Sequence, residues 1–368
     1  MLSVVEDRRR LHRVPELVDQ LPETCAYVRA RLERFGLRPF SPILGSVCAF
    51  LDAGKPETAA FRADLDALPV TEDTGLPYAS EHPGKMHACG HDGHTAMLLG
   101  LAGYAAGHRD ELPRNVLFLF QPAEETVGGA KPLCESGVLK TYHVTRVFGL
   151  HLWPALEEGV IFSRPGPLMA RSCEVTAAVT GRSVHISRAA QGLDALAAVT
   201  EYLRRVRERV DALPPEEIRT LGFGRLVSGE VRNAVSGKSV LEGTLRTYQE
   251  ETHLHCREIL EDTGREIAEE TGCQVSVHIS EGYPAIWNQE DFYQQLCTAL
   301  GPDAPRTLDA PSLASEDFSF YQKEVPGTFF FLGLGDVPEL HATNFHFNDE
   351  AVLPKGLEFL KKLLTLPA

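Results

Sequence analysis

The sequence predicts an α/β protein of two domains: a main domain with a mixed central sheet covered by helices, and an inserted α+β domain of βαββαβ order. Three observations point there. A chain of 368 residues is too long for one ordinary core. Apolar strand-like runs alternate with helically spaced segments through the first part and resume near the end. Between them the order changes to strand, helix, strand, strand, helix, strand, a split-βαβ unit.

Val4 to His12 and Glu23 to Phe35 have helical spacing. Ala59 to Leu68 reads as a strand. Thr95 to Ala106 is a helix whose Ala, Leu and Gly content lets it pack closely on a sheet. Val116 to Phe120, Val144 to Leu152 and Thr328 to Leu334 are further apolar strands. In the middle, Cys173 to Gly181, Leu221 to Val231, Ser239 to Tyr248 and Gln274 to Ser280 alternate as strands, with helices at Leu193 to Val210 and His253 to Thr271. Ser163 to Pro167 and Glu281 to Asn288 carry Pro and Gly at the two crossings, as hinges do. The expected bounds are 1–165 and 282–368 for the main domain and 166–281 for the insertion.

Hydrophobic residues at 43% and charged residues at 24% are ordinary for a globular protein. A formal net charge of -15 argues against a nucleic-acid partner, which needs a basic face. No apolar run is long enough to span a bilayer, and the start of the chain turns charged at once, so a cytoplasmic location is expected and no membrane partner. The eight cysteines are dispersed without a CxxC pair and read as free thiols, most of them small core residues. Cys89 stands apart from them.

The chemistry-bearing residues fall just after apolar strands. They are Asp64 and Asp66 in Arg-Ala-Asp-Leu-Asp-Ala-Leu-Pro, the doublet Glu124 and Glu125 closing Asn-Val-Leu-Phe-Leu-Phe-Gln-Pro-Ala-Glu-Glu, and His151 in Phe-Gly-Leu-His-Leu-Trp. In open α/β sheets, sites form beyond the carboxyl ends of strands. Met-His-Ala-Cys-Gly-His-Asp-Gly-His adds Cys89 and His91, with His87 and His94 expected to bond a carboxylate or a backbone group. Soft and borderline ligands gathered with carboxylates indicate a hydrolytic metal centre. A lone Cys-Gly-His is otherwise turn chemistry, and an acid doublet is otherwise a solvated helix start. In extended backbone the two glutamate side chains would point opposite ways, one toward a metal and one toward substrate. Spacing does not choose between His341 and His346 in Glu-Leu-His-Ala-Thr-Asn-Phe-His.

These residues resemble the two-metal amidohydrolases and carboxypeptidases related to aminoacylase and carboxypeptidase G, in the branch of hippurate hydrolase, N-acyl-amino-acid amidohydrolases and auxin-conjugate hydrolases. The likeness runs almost end to end, through Arg-Arg-Leu-His-Arg-Val-Pro-Glu-Leu, the motifs above, Leu-Glu-Gly-Thr-Leu-Arg-Thr, Ser-Glu-Asp-Phe and Leu-His. It implies that Cys89, His91, Glu125, His151 and His341 bind two divalent ions, manganese, zinc, cobalt or nickel, and that Glu124 is the general base. It places Cys89 where other branches have a bridging aspartate, and Asp66 as a carboxylate that orients a ligand. It also implies that the inserted domain is a lid carrying homodimer contacts. There His185 is the oxyanion donor, and Asn233 and Arg246 hold the substrate carboxylate, a group that an arginine fork suits. The alternative for Arg246 is an exposed strand charge.

This chain departs from the branch at the lid. Relatives show Gly-Gly-His followed shortly by Pro-His. Here Ser183-Val184-His185 precedes Arg188-Ala189-Ala190, and Asn233 is followed by Ala-Val-Ser where Val-Ile-Pro is usual. The implied activity is metal-dependent hydrolysis of the amide of an N-acyl amino acid or related small conjugate. The alternatives are a dipeptidase or carboxypeptidase on the same centre, and a cysteine hydrolase with Cys89 as nucleophile and His91 as base.

Overall fold

The computed structural model describes residues 3–367; Met1, Leu2 and Ala368, at the outer limits of the expected bounds, lie outside the described residues. The chain divides into two compact units. The first comprises Met1–Leu168, Trp287–Pro311 and Asp317–Ala368, and the second Met169–Ile286 with Ser312–Glu316. That last segment belongs to the main domain by sequence order. Hydrogen bonds attach it to the second unit instead: Ser312 O accepts the Tyr248 hydroxyl at 2.9 Å and the Ala170 N–H at 3.1 Å.

The first unit is built on an eight-stranded mixed sheet in the order Pro39–Phe40, Val47–Leu51, Asn115–Gln121, Thr58–Asp64, Val144–Trp153, Gly327–Gly333, Ile161–Ser163, Arg306–Thr307. The middle four run parallel. Thr58–Asp64, Asn115–Gln121 and Gly327–Gly333 are buried at every position, as strands covered on both faces are. Parallel alignment brings the carboxyl ends of these strands to one edge. Pro122–Glu125, Leu65–Asp66 and His151 gather there.

The helix covering this edge runs His91–Gly107, starting four residues before the expected Thr95. Its first turn therefore carries His91, Asp92 and His94. Gly90 precedes it in left-handed backbone (φ 85°), a conformation that favours glycine. The helix is buried on nearly all sides, so no polar stripe marks its start. Gly93 lets Leu152 close in: a Cβ there would lie 2.8 Å from Leu152 Cδ1.

The second unit is a four-stranded antiparallel sheet in the order Gln274–Ile279, Arg171–Thr180, Lys238–Thr247, Arg219–Ser228. Cys173, Val175, Ala177 and Val179 alternate inward from one strand. They share a core with Ala198, Tyr202 and Val206 of the helix Ala195–Asp211 and with Leu260 and Ile267 of the helix Glu250–Thr271. Among the described residues, no helix is long and apolar enough to cross a membrane.

Candidate metal centre

At the carboxyl edge of the first unit the chain crowds ionisable groups into a buried space. Two ligand groups, Cys89 with His91 and His151, and Cys89 with Glu125 and His341, each have donor atoms within 4.8 Å of one another. Cys89 belongs to both. A third group joins His91 to Glu124 and Glu125. His346 enters none of these; its Nδ1–H donates to the Asn344 carbonyl at 2.9 Å.

Each ring is oriented by the bond its other nitrogen makes. His91 Nδ1 donates to the Asp66 carbonyl at 2.7 Å, which leaves Nε2 facing the cluster. That atom is buried and has no hydrogen-bond partner, and Glu125 Oε1 is buried likewise. His151 Nδ1 donates to the Leu152 carbonyl at 2.6 Å, turning Nε2 toward Cys89 Sγ at 3.4 Å. His341 Nε2 lies 3.3 Å from Glu125 Oε1, and here the backbone N–H, not the ring, is held, donating to the Ala88 carbonyl at 2.8 Å. A buried imidazole nitrogen without a hydrogen-bond partner beside a thiol and a carboxylate, with further imidazoles facing inward, fits divalent cations of borderline softness.

The glutamate doublet is not extended. Glu124 to Val127 form a turn, and Ala123 before it is left-handed (φ 61°), so the two side chains do not diverge to opposite faces. Both carboxylates lie within reach of His91. His341 is also left-handed (φ 67°). For a residue with a Cβ this conformation costs on the order of 1–3 kcal/mol and collects at functional sites.

Burial, then Glu125 and Glu124, push the Cys89 thiol well above its ordinary range. Burial acts to lower His91, but Asp64 and then the Asp66 and Glu125 contacts outweigh it and hold it at about 10. At His91 the surrounding carboxylates thus favour positive charge. His94 bonds Asp64. His87 does not behave as expected of it: it is buried, and neither ring nitrogen has a hydrogen-bond partner. Burial lowers it to about 3, so it stays neutral.

Several supporting residues carried no role in the sequence reading. Asp92, next to His91, is held by Arg8 Nε at 2.8 Å and by His12 Nδ1 at 2.7 Å. This gives Arg-Arg-Leu-His of the first helix a function. Asp317 of Ser-Glu-Asp-Phe accepts from Arg62 at 2.8 Å and from the Ala130 N–H at 2.9 Å. Only the recurrence of these motifs in the resemblance marked them.

In the second unit, His185 and Asn233 lie on neighbouring turns, with the Ile186 N–H donating to the Asn233 carbonyl at 2.9 Å. His185 is exposed, and its Nδ1 accepts the Ser187 N–H at 3.2 Å, which places its own N–H on Nε2. Arg246 is half-buried on Lys238–Thr247, its Nη1 3.5 Å from the Leu313 carbonyl.

Fold and cluster together define a hydrolase of the metallopeptidase type. A family model described as peptidase family M20/M25/M40 matches residues 60–366, and the chain belongs to that family. It is 33% identical to an N-acetyldiaminopimelate deacetylase of Lacticaseibacillus paracasei over 94% of this chain and 93% of that protein. It is 35% identical to an uncharacterized hydrolase of Staphylococcus aureus over 98% of this chain and 97% of that one. Among solved structures it matches the Bacillus subtilis YXEP protein, described as a dinuclear metal binding peptidase of family M20. That match has a TM-score of 0.86 and 31% identity, and covers 98% of this chain and 96% of the other. The protein is therefore an enzyme acting on amide bonds.

Proposed function

We propose that this protein is a two-metal amidohydrolase that removes the acyl group from N-acyl amino acids. The observation carrying the reading is the pair of ligand groups that share Cys89. Cys89, His91 and His151 would hold one ion, and Glu125 and His341 with Cys89 the other. The similarity to an N-acetyldiaminopimelate deacetylase and to a dinuclear metal binding peptidase points the same way. A thiolate in the set favours manganese, zinc, cobalt or nickel over magnesium or calcium.

Bound divalent ions would polarise the amide carbonyl and lower the pKa of a water toward neutrality. Glu124 takes a proton from the attacking water and delivers it to the amide nitrogen as the C–N bond breaks, yielding a carboxylic acid and a free amine. Asp66 holds the backbone that aims Glu124. His185, with its N–H on Nε2, suits donation to the developing oxyanion, and Asn233 and Arg246 suit the substrate carboxylate.

The second unit's edge strand, Arg219–Ser228, exposes Leu226 and Val227, and we include a homodimer through that edge in the proposal. All eight cysteines are free thiols, which suits a reducing, cytoplasmic compartment. A cysteine hydrolase with Cys89 as nucleophile and His91 as base is disfavoured, because burial with Glu125 and Glu124 pushes the Cys89 thiol up, and the imidazole that bonds its Sγ is His151 and not His91.

The test is a substrate screen. Metal-stripped protein is assayed on N-acetyl, N-benzoyl and longer N-acyl amino acids and on dipeptides, with each of the four metals added back. Faster cleavage of dipeptides would replace this reading with the peptidase one. Full activity without metal would overturn both.

A further inference from the structure

We infer that His94 is a positioning residue for His151: it fixes the peptide group that follows His151, so that the imidazole Nε2 faces the ligand cluster. The inference rests on the two-metal reading of that cluster.

His94 has no nitrogen left for an ion. Its Nε2 lies 2.9 Å from the Leu152 N–H, a backbone donor, so Nε2 must accept. The proton then sits on Nδ1, which donates to Asp64 Oδ1 at 2.6 Å. Asp64 and His94 do form a ligand-like group with His91, but these bonds commit them elsewhere. Asp64 Oδ2 takes Arg62 Nη1 at 2.8 Å, and Arg62 Nε is fixed on Gln121 Oε1 at 2.9 Å. Every one of these side chains is buried. A satisfied buried network of this kind has one low-energy arrangement, since turning any member orphans its neighbour.

His94 acts where the sheet ends on one side of the strand Val144–Trp153, while the other side stays paired with Gly327–Gly333 as far as Trp153. Val144–Trp153 pairs with Thr58–Asp64 only as far as Gly149 opposite Arg62. Three residues on, His94 accepts the Leu152 N–H in place of a strand neighbour. That N–H belongs to the peptide joining His151 to Leu152. The next carbonyl, Leu152 O, takes the His151 Nδ1–H at 2.6 Å. His94 thus sets the peptide plane, and the following carbonyl sets the ring. The two rings also meet edge to face, with centroids 4.5 Å apart and planes at 64°. Removing an outer partner of a ligating histidine typically weakens metal binding by about 10–100-fold.

The variant His94→Asn tests this. Its amide can still donate to Asp64, but nothing reaches the Leu152 N–H. Cobalt(II) titration followed by visible absorption is expected to show binding at one site weakened about 10–100-fold and an altered spectrum, with the circular dichroism of the wild type retained. Two cobalt ions bound at wild-type affinity with an unchanged spectrum would overturn the inference. A second measurement needs neither metal nor variant. Long-range proton–nitrogen spectra of wild-type protein labelled with ¹⁵N-histidine should show both His94 and His151 protonated on Nδ1. A proton on Nε2 of either ring also overturns it. Wild-type protein that takes up no cobalt overturns the two-metal reading instead, and the histidine spectra still decide how His151 is oriented.

Discussion

The carboxylate of Asp66 accepts the backbone N–H of Glu124 at 3.0 Å, and its other oxygen accepts the Glu125 N–H at 3.2 Å. One buried side chain thereby holds the main chain of both acids where left-handed Ala123 turns it. Hydrogen bonds to a charged acceptor contribute about 1.5–3 kcal/mol each. Asp66→Ala is expected to reduce turnover about 100-fold and to lower the melting temperature. Asp66→Asn, which keeps one acceptor oxygen, should fall between it and wild type. Equal turnover in all three proteins would remove Asp66 from the machinery.

Glu124→Gln keeps the shape of the side chain and removes its basicity. Metal content by mass spectrometry should stay at the wild-type value while turnover drops by about 10²–10⁴. A variant that loses metal instead would mark Glu124 as a ligand and not a proton carrier.

Cys89 is 7% exposed. Iodoacetamide should label it slowly in metal-loaded protein, and activity should outlast labelling of the partly exposed Cys25, Cys134 and Cys297. A chelator should abolish activity at once, and added metal should restore it. Activity that follows the alkylation of Cys89 but resists chelation would support the nucleophilic reading.

His253 gives the second unit a pH dependence of its own. It is 1% exposed, and burial lowers it to about 4. Between its unfolded value near 6.5 and about 4, the unfolded chain binds the extra proton, so stability falls as pH falls through that window and is fully present above it. The whole contribution is at most about 3 kcal/mol. In denaturant titrations from pH 7 to 4, His253→Leu should lose stability less steeply than wild type. Parallel curves would show that His253 does not titrate as argued.

Leu226 and Val227 lie exposed on the edge strand Arg219–Ser228. Light scattering on eluting protein should give twice the chain mass. Leu226→Asp combined with Val227→Lys should yield monomer. A wild-type monomer would remove the dimer from the proposal.

Much of this was legible from periodicity and motif order. The helix Val4–His12 has the bounds that its spacing predicts, and the strands at 116, 144 and 328 are found within a residue at their starts. The start of His91–Gly107 was hidden because a helix buried all round lacks the polar stripe that periodicity reads. The turn at Glu124 was hidden because left-handed alanine has no sequence signature. Val47–Leu51 was missed as a short apolar run without flanking alternation, and Asp349–Leu364 was obscured by Pro354 within it. The ligand types were plain. Their convergence, and the roles of Arg8, Arg62 and Asp317, depend on contacts across hundreds of residues that no local pattern encodes.

The order of the strands has a consequence for how the chain is made. Gly327–Gly333 lies beside Val144–Trp153 in the sheet, yet about half the chain is synthesised between them. On the ribosome, the whole second unit is synthesised before the strand that covers the Val144–Trp153 edge. During that interval a buried apolar strand presents an open edge, the kind of surface that recruits chaperones or aggregates. His151 rides on that strand, so the ligand set of the cluster can close only after translation has passed His341.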